Sequence, residues 1–514
     1  MRVSRIIYLF SILGLLLAAC GNSVTLTPSV VPSSQTATAE RPTLSVTVTL
    51  PPSPSPTHPI ATSPAPTLTP TSTITTSQTA LDAKGPWLLY WNRSTSNNDL
   101  TGLTISNLDG SGATLLNTNE PMETLRLEKA NKNGWFSVRA IGSDNEPQIW
   151  VFHLPSLKPV RKVSLLSQQA TQEIHSAKDN NLFAQVEFSA VTDLTMSWSP
   201  DGRYLAFAGA LDSSNTDIYI YDTMLDTTKR LTNEPENTAV MDWSPDSRYI
   251  VYMVVNKFDW NGAAIQEVRV VRIDALDNKE LYRLPDFESK HTLFWEQITA
   301  WASNSEFLVQ TSLFEDYPRN LRMVNMDTGE IDILYKDINL GNALDPQTKT
   351  LYVCSGAYKS GTSATPDKLY RLNLRERIMH VVANGEWYGA NWFPQLGQFA
   401  ASNGEKGRVS FTAQGLKVLQ SEGTFLPSPN GKFVLIRKDG HLSLVYPDGT
   451  KTQVALTGEP DKIEWMPDSS GFYGISTQNE GADYSLNIFQ QSNGWKQELV
   501  TSDVELYPGL WIVE

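Results

Sequence analysis

A ten-residue pattern that recurs after forty-five residues constrains the fold of this chain more than any other feature. Residues 198–207 read WSPDGRYLAF, and residues 243–252 read WSPDSRYIVY. Pro and Asp followed by Gly or Ser favour a tight turn, and the alternating apolar residues around it are typical of β-strands. Self-similarity at this period predicts either the blades of a β-propeller or the coils of a solenoid.

Weaker copies of the pattern extend over most of the chain. They keep the turn, with or without the tryptophan, and strand-like segments such as residues 217–222 follow it. Counted from Trp87, nine units begin near positions 87, 134, 196, 241, 299, 342, 390, 424 and 463. Because one short unit between 390 and 456 is open to miscounting, we predict an all-β fold, a single β-propeller of eight or nine four-stranded blades.

The two ends of the repeat region predict how the ring closes. The first unit begins at Trp87 without an inner strand of its own, and residues 506–513 are apolar and strand-like. Pairing of this last segment with the first unit would close the ring and protect the strand edges at the seam. The alternative is a frayed tail, which the apolar content of the segment disfavours.

The repeat resembles that of a known family. The WSPDG turn occurs together with the strand DIYIYD at 217–222 and the segment RLT at 230–232. This combination is similar to the TolB-type propeller repeat and to the blades of dipeptidyl-peptidase IV-like propellers, most clearly over residues 196–256. The resemblance implies a fold more than an activity, because the repeated residues are structural.

The beginning of the chain has the layout of a bacterial lipoprotein signal peptide. Arg2 and Arg5 lead into an apolar run over residues 6–19, which has the length of a signal-peptide core and is short for a membrane span. The run ends in LAACG, where Cys20 would receive the lipid. We therefore expect the protein at the cell membrane, lipid-anchored on the extracytoplasmic side; the alternative is an uncleaved membrane anchor.

A stalk is predicted between this anchor and the repeats. Residues 21–80 contain 11 prolines and 26 serines or threonines, a composition that cannot bury a core. The expected organisation is a signal peptide over residues 1–19, the lipidated cysteine and a disordered Pro/Ser/Thr-rich linker over 20–83, and the propeller over 84–514.

Charge and cysteine content narrow the possible partners. The formal net charge is −14, and no run of Lys or Arg offsets it. Such a surface repels phosphate backbones, so nucleic acid is not an expected partner. If Cys20 is lipidated, Cys354 has no disulfide partner, and its apolar surroundings in sequence predict a small buried thiol.

Loop lengths differ between the two faces of the predicted propeller. The turns between first and second strands and between third and fourth strands share one face and are short; we call it the tight-turn face. The loops between second and third strands and the crossings between blades share the other, the loop-rich face, where several segments are long. Aromatic side chains on loops suit sugar rings or peptide side chains, although each can instead pack under its own loop. The candidate ligand-binding residues are Phe258, Trp260, Trp295, Tyr317, Tyr358, Trp387 and Tyr388.

Motifs of catalysis are missing from the sequence. It contains no Gly-x-Ser-x-Gly elbow, no His-Glu-x-x-His and no phosphate-binding loop, and its six histidines show no metal-binding spacing. No catalytic residue, metal or cofactor is therefore predicted. The favoured function is non-catalytic recognition or scaffolding of a protein, peptide or glycan on the loop-rich face. An enzyme acting at the mouth of the central channel and a structural component of the envelope are the alternatives.

Overall fold

Nine four-stranded antiparallel sheets, arranged as the blades of a β-propeller, make up the fold. The all-β propeller prediction is confirmed, and the number of blades is nine. The predictions for the signal peptide, Cys20 and the stalk fall on residues outside the described part of the chain. The computed structural model describes residues 80–93, 100–116, 123–130, 132–142, 146–176, 196–212, 215–259, 262–274, 278–283, 294–313, 320–336, 338–357, 365–446, 448–454, 460–479, 483–504 and 509–514.

Consecutive strands pair within each blade. Blade 1 contains β1 (Trp87–Arg93), β2 (Leu100–Asn107) and β3 (Thr114–Leu115), and blade 2 contains β4 (Glu123–Lys129), β5 (Trp135–Ile141), β6 (Pro147–His153) and β7 (Arg161–Ser164). After helix α1 (Gln168–Ser176), blade 3 contains β8 (Ser197–Trp198), β9 (Tyr204–Gly209), β10 (Asp217–Asp222) and β11 (Thr227–Arg230). No helix among the described residues is long and apolar enough to cross a membrane.

The middle of the chain forms the next three blades. Blade 4 contains β12 (Asn237–Trp243), β13 (Tyr249–Asp259), β14 (Gly262–Arg272) and β15 (Asn278–Arg283). Blade 5 contains β16 (Phe294–Trp301), β17 (Glu306–Leu313), β18 (Leu321–Asn325) and β19 (Ile331–Tyr335). Blade 6 contains β20 (Ile338–Asp345), β21 (Thr350–Ala357), β22 (Thr365–Asn373) and β23 (Ile378–Asn384).

The last three blades complete the ring. Blade 7 contains β24 (Trp387–Phe393), β25 (Gln398–Asn403), β26 (Gly407–Thr412) and β27 (Lys417–Ser421). Blade 8 contains β28 (Thr424–Pro427), β29 (Val434–Lys438), β30 (His441–Val445) and β31 (Lys451–Val454). Blade 9 contains β32 (Pro460–Trp465), β33 (Gly471–Asn479), β34 (Asp483–Gln490), a 3-10 turn (Gln491–Asn493) and β35 (Gln497–Val504), and β36 (Leu510–Val513) ends the chain.

The final strand closes the ring, as the sequence predicts. Strand β36 pairs antiparallel with β1, with Val513 opposite Trp87 and Leu510 opposite Tyr90. It therefore supplies the missing first strand of blade 1 from the opposite end of the chain. First strands of successive blades contact one another, including β4 with β8, β8 with β12, β12 with β16, β16 with β20 and β20 with β24, so they line the central axis.

A hydrogen bond from the repeated tryptophan joins neighbouring blades. The indole N–H of one blade donates to a backbone carbonyl on the first strand of the preceding blade. The acceptor residue comes immediately before the residue that occupies the tryptophan position in that preceding blade. We call this bond the tryptophan latch. Its three examples are Trp198 Nε1 to the Glu128 carbonyl at 3.3 Å, Trp243 Nε1 to the Ser197 carbonyl at 3.1 Å, and Trp465 Nε1 to the Leu426 carbonyl at 3.0 Å.

Two blades form the latch with different groups. Lys129 occupies the tryptophan position of blade 2, and its Nζ donates to the Ile512 carbonyl at 2.8 Å and lies 3.6 Å from the Glu464 carboxylate. This lysine thus connects blade 2 both to β36, the last strand of the chain, and to β32 of blade 9. In blade 5, Trp301 Nε1 donates instead to the side-chain Oδ2 of Asp242, at 2.9 Å.

The SPDG turns fix the tight-turn face with short polar contacts. In blade 3, Ser199 Oγ donates to Asp201 Oδ1 at 2.6 Å and accepts a bond from the Tyr204 amide at 2.9 Å. Gly202 follows with φ of 74°, a conformation that favours glycine. The Asp201 amide donates to Ser247 Oγ of the next blade at 3.1 Å, so adjacent turns are bonded to each other.

The beginning of the described chain is bonded to blade 1. Asp82 donates its amide to Asn107 Oδ1 at 2.8 Å, and Asn107 Nδ2 donates to the Ala80 carbonyl at 3.2 Å. Residues 80–83, which the sequence assigns to the linker, therefore already contact the propeller.

Candidate functional site

The predicted ligand-binding residues have different positions in the structure. Trp260, Tyr317 and Tyr358 lie outside the described residues. Phe258 is the penultimate residue of β13, and Trp295 is the second residue of β16, so both occupy strand ends on the loop-rich face.

The two adjacent candidates in blade 7 have opposite surroundings. Trp387 is only 2% exposed and packs among core residues between blades 6 and 7, where its Nε1 donates to the Asn384 carbonyl at 3.2 Å. Its indole supports the blade and is not a surface for a ligand. Tyr388 is 40% exposed. Alternation along a strand turns consecutive side chains to opposite surfaces, which explains the difference.

Blade 4 projects a hairpin from the loop-rich face. Its first strand begins at Asn237, opposite Val255, but β13 and β14 remain paired from there to Asp259 and Gly262. Four residues of strand add about 13 Å beyond the end of the first strand. Residues 256–259 and 262–266 therefore form a two-stranded extension that carries Phe258.

Buried carboxylates paired with arginines lie beneath the loop-rich face in blades 3 to 5. In blade 3, Asp217 at the start of β10 is completely buried and forms an ion pair with Arg230 at the end of β11. Its Oδ1 accepts from Thr232 Oγ1 at 2.9 Å and from the Glu234 amide at 3.1 Å. Burial raises the pKa of Asp217 while Arg230 and these donors oppose the rise.

The pair in blade 4 continues this arrangement. Arg269 Nε and Nη2 donate to Glu267 Oε2 at 2.7 and 2.6 Å, and Arg269 Nη1 lies 3.6 Å from Glu234 Oε1. Tyr252 donates its hydroxyl to the same Glu234 oxygen at 2.7 Å. Glu234 belongs to the crossing from blade 3, so this network joins the two blades directly below the projecting hairpin.

A third group joins blades 4 and 5. Glu296 of β16 is buried and forms an ion pair with Arg322 of β18, and it accepts a bond from the Tyr282 hydroxyl at 2.9 Å. The guanidinium of Arg322 lies 5.1 Å from the centre of the Tyr282 ring. Burial raises the pKa of Tyr282 well above its ordinary value, so the tyrosine stays a hydrogen-bond donor.

These three groups are built for rigidity. In each group the carboxylate accepts hydrogen bonds from an arginine, which fixes the two side chains relative to each other. A buried ion pair costs desolvation that an apolar pair would avoid, and it fixes the geometry of the groups that it joins. The networks hold the strand ends from which the loops of blades 3 to 5 arise. Sequence reasoning missed two of the pairs because the partners are separated along the chain, by 13 residues for Asp217 and Arg230 and by 26 for Glu296 and Arg322. Glu267 and Arg269 are two residues apart, but their burial was not evident from sequence.

Other candidate chemistry is limited within the described residues. No three His, Cys, Asp or Glu side chains there are grouped so that they could hold a metal ion. The Cys354 thiol is buried, as predicted, and burial raises its pKa to about 12, which makes it unreactive at neutral pH.

Comparison with known proteins gives a partial match in sequence. The profile of the family described as "Eukaryotic translation initiation factor eIF2A" matches residues 168–282, which correspond to helix α1 and blades 3 and 4. No curated protein matches the chain.

Solved structures share the architecture at low sequence identity. The structure described as "Crystal structure of the eukaryotic initiation factor" is 12% identical, covers 84% of this chain and 98% of its own, and has a TM-score of 0.51. Dipeptidyl peptidase 4 from Porphyromonas gingivalis is 12% identical over 73% of this chain and 59% of its own, with a TM-score of 0.47. A protein assigned as TolB from Agrobacterium tumefaciens is 12% identical over 59% and 89%, with a TM-score of 0.29. At 12% identity the likeness to the initiation-factor structure is one of fold alone, and it agrees with the nine-bladed β-propeller described above.

Proposed function

We propose that this chain is an extracytoplasmic lipoprotein, anchored to the cell membrane through Cys20, whose propeller recognises a protein, peptide or glycan without catalysis. The observation that carries the recognition role is the concentration of buried arginine–carboxylate networks beneath the loop-rich face of blades 3 to 5. A rigid foundation lowers the ordering cost that a ligand must overcome when it binds the loops above.

The projecting hairpin of blade 4 supports the same face. It carries Phe258 near the end of β13, on a two-stranded extension of the sheet that holds the Glu267–Arg269 pair, and Trp260 follows two residues later in the sequence. Aromatic side chains provide contact area at low entropic cost, and they suit both peptide side chains and sugar rings. The net charge of −14 disfavours nucleic acid as the ligand.

Anchoring is tested at the single cysteine of the proposed lipidation motif. In cells, Cys20→Ser should abolish incorporation of labelled fatty acid and shift the protein from the detergent phase to the aqueous phase. Cys354→Ser is the matched control, because it removes the other cysteine of the chain and should leave labelling unchanged. Undiminished labelling of Cys20→Ser would refute the anchor.

Recognition is tested by comparing aromatic and apolar residues on the two faces. The double variant Phe258→Ser/Trp260→Ser should lose at least tenfold in capture of envelope glycans or proteins on immobilised full-length chain, with an unchanged melting temperature. The control is Met224→Ser/Leu225→Ser, which alters two exposed apolar residues on the tight-turn face of blade 3. Equal capture by the wild type and the hairpin variant, with loss in the control, would move the binding surface to the other face. Cleavage of the captured material would instead assign catalysis.

A further inference from the structure

Blade 7 contains a buried arginine without a carboxylate partner, unlike the half-buried arginines of blades 3 to 5. Arg408, near the start of β26, is only 8% exposed. Its guanidinium lies 5.8 Å from the centre of the Phe393 ring on the first strand of the same blade. Among the described residues, no carboxylate forms an ion pair with it, and its Nε is sealed from solvent without a hydrogen-bond partner.

The surroundings of Arg408 do not compensate its charge. The thiol of Cys354 is the titratable group that acts on it, and this thiol is neutral at ordinary pH because burial raises its pKa to about 12. Burial also lowers the pKa of Arg408, but an arginine remains a cation at any physiological pH. A buried cation with no partner costs free energy that binding of an anion would recover.

The pairing of blade 7 shows on which surface of the blade an anion would meet Arg408. Tyr388, Ser402 and Arg408 are paired neighbours across β24, β25 and β26, so their side chains share one surface of the blade. This surface faces blade 8, because Ala400 from the same row packs against Phe425. Strand β28 of blade 8 has four residues where β24 has seven, and Tyr388 at the loop-rich end of the surface is exposed. The guanidinium approaches Phe393, the last residue of β24, so it extends along this surface toward the tight-turn end.

We propose that Arg408 anchors a binding site for an organic monocarboxylate between blades 7 and 8. The planar guanidinium fork matches the two oxygens of a carboxylate, and the Phe393 ring borders the site with apolar surface. A single cation balances one negative charge, and the net charge of −14 repels more highly charged anions, so phosphate fits less well. This site is independent of the recognition role proposed for blades 3 to 5.

The test uses melting of the full-length chain with small probes at constant ionic strength. N-acetylphenylalanine and glucuronate present the same carboxylate from a peptide-like and a sugar source. At concentrations well above the dissociation constant, the binding probe should raise the melting temperature by roughly 2 °C. N-acetylphenylalanine amide and sodium chloride should not, and inorganic phosphate should act more weakly. The probe with the lower dissociation constant identifies the source of the carboxylate.

Variants at Arg408 separate binding from folding. Arg408→Met should remove the shift, and without probe it should melt at or above the wild-type temperature because an uncompensated buried charge is gone. Arg408→Lys keeps the charge but not the fork and should weaken probe binding at least tenfold in titration calorimetry. Arg375→Met, at an exposed position of the β22–β23 turn, should keep the full shift. A shift that survives in Arg408→Met, a wild type that no carboxylate stabilises, or a stronger effect of phosphate would each overturn the proposal.

Discussion

Blades 3 to 5 and blades 6 to 8 build the same sheet in two ways. The first group carries a bonded tryptophan at the inner position, Trp198, Trp243 and Trp301, and a buried arginine–carboxylate network in every blade. In the second group, the same position holds Leu344, Trp392 and Pro427, as judged from the pairing of each first strand with its neighbour. Among the described residues, Trp392 forms no bond to the preceding blade.

Blades 6 and 7 compensate through close backbone packing. Their first strands approach each other at Gly341 and Gly389, where a Cβ on Gly341 would come within 2.8 Å of the Gly389 Cα. Gly341 also has φ of 152°, which a side chain rarely adopts. The difference teaches that a propeller ring can be joined by polar bonds or by glycine contacts, and that the polar half is the one beneath the projecting hairpin.

The largest expected effect contrasts two tryptophans of the repeat. Trp243→Ala removes an indole that is almost fully buried together with its latch, and it should cost about 4 to 6 kcal/mol in the free energy of unfolding. Trp392→Ala, at the half-buried position without a latch, should cost less than half as much. Denaturant unfolding followed by circular dichroism measures both. Equal losses would mean that the latch contributes nothing and that the two halves do not differ.

The second prediction dissects the Glu296–Arg322 pair. Glu296→Leu leaves Arg322 and the Tyr282 hydroxyl without their shared acceptor and should cost about 3 to 5 kcal/mol. The double variant Glu296→Leu/Arg322→Met should recover most of this loss, because no buried charge remains. In blade 7, Arg408→Met is the matched single change and should lose nothing. A double variant as unstable as Glu296→Leu alone would show that the pair stabilises the fold through more than mutual neutralisation.

The third prediction concerns the glycine contact of blades 6 and 7. Gly341→Ala forces a Cβ into the backbone of Gly389 and should destabilise by about 2 to 4 kcal/mol. Gly397→Ala is the control, since Gly397 has φ of 61° but a Cβ added there would meet no atom within 4 Å, and it should cost only about 1 to 2 kcal/mol of backbone strain. Thermal melting compares them. If both variants melt alike, the close approach adds nothing to joining the two blades.

The repeat could be predicted from sequence because its signals are local. The WSPDG turn, the alternation around it and the apolar last segment each lie within ten residues, and they predict the propeller and its closure. The blade count needed the pairing itself, since blade 8 is short and its turn lacks the tryptophan. The latch formed by Lys129 could not be predicted from sequence, because no sequence rule equates an ammonium group with an indole N–H.

The candidate site was less accessible to sequence reasoning. Alternation in β24 puts Trp387 and Tyr388 on opposite surfaces of the blade. Which of the two faces the core can be decided only when the strand boundary and the neighbouring strands are known. The Asp217–Arg230 and Glu296–Arg322 pairs join different strands of a blade, and the contact of Arg269 with Glu234 joins two blades. Arg408 is more buried than Arg230, Arg269 and Arg322 and lacks their carboxylate partner, and both differences are visible only once the side chains around it are placed.

The smallest expected effect lies at Asp242, where the latch of blade 5 uses a carboxylate. Its Oδ2 accepts from Trp301 Nε1 and its Oδ1 from the Trp243 amide at 2.8 Å. Burial raises the pKa of Asp242 above its ordinary value of 3.8, although both hydrogen bonds oppose the rise. Between 3.8 and the raised pKa, the folded protein therefore binds more protons than the unfolded chain, and the stability contributed by this group falls as pH increases.

Asp242→Asn removes this titration while keeping an oxygen that can accept from Trp301. The variant should gain on the order of 1 kcal/mol or less over the wild type at pH 7, and the gain should shrink as the pH is lowered toward 4. Melting temperatures of the two proteins at matched ionic strength across this range measure the difference. Asp327→Asn, at an exposed turn of blade 5, removes the same charge from the surface and should show no such trend. A wild type that is more stable than Asp242→Asn at pH 7 would mean that the charged carboxylate strengthens the latch by more than its burial costs. Charged groups would then stabilise blades 3 to 5 at the inner strands, through Asp242, as well as beneath the loop-rich face, through the arginine–carboxylate pairs.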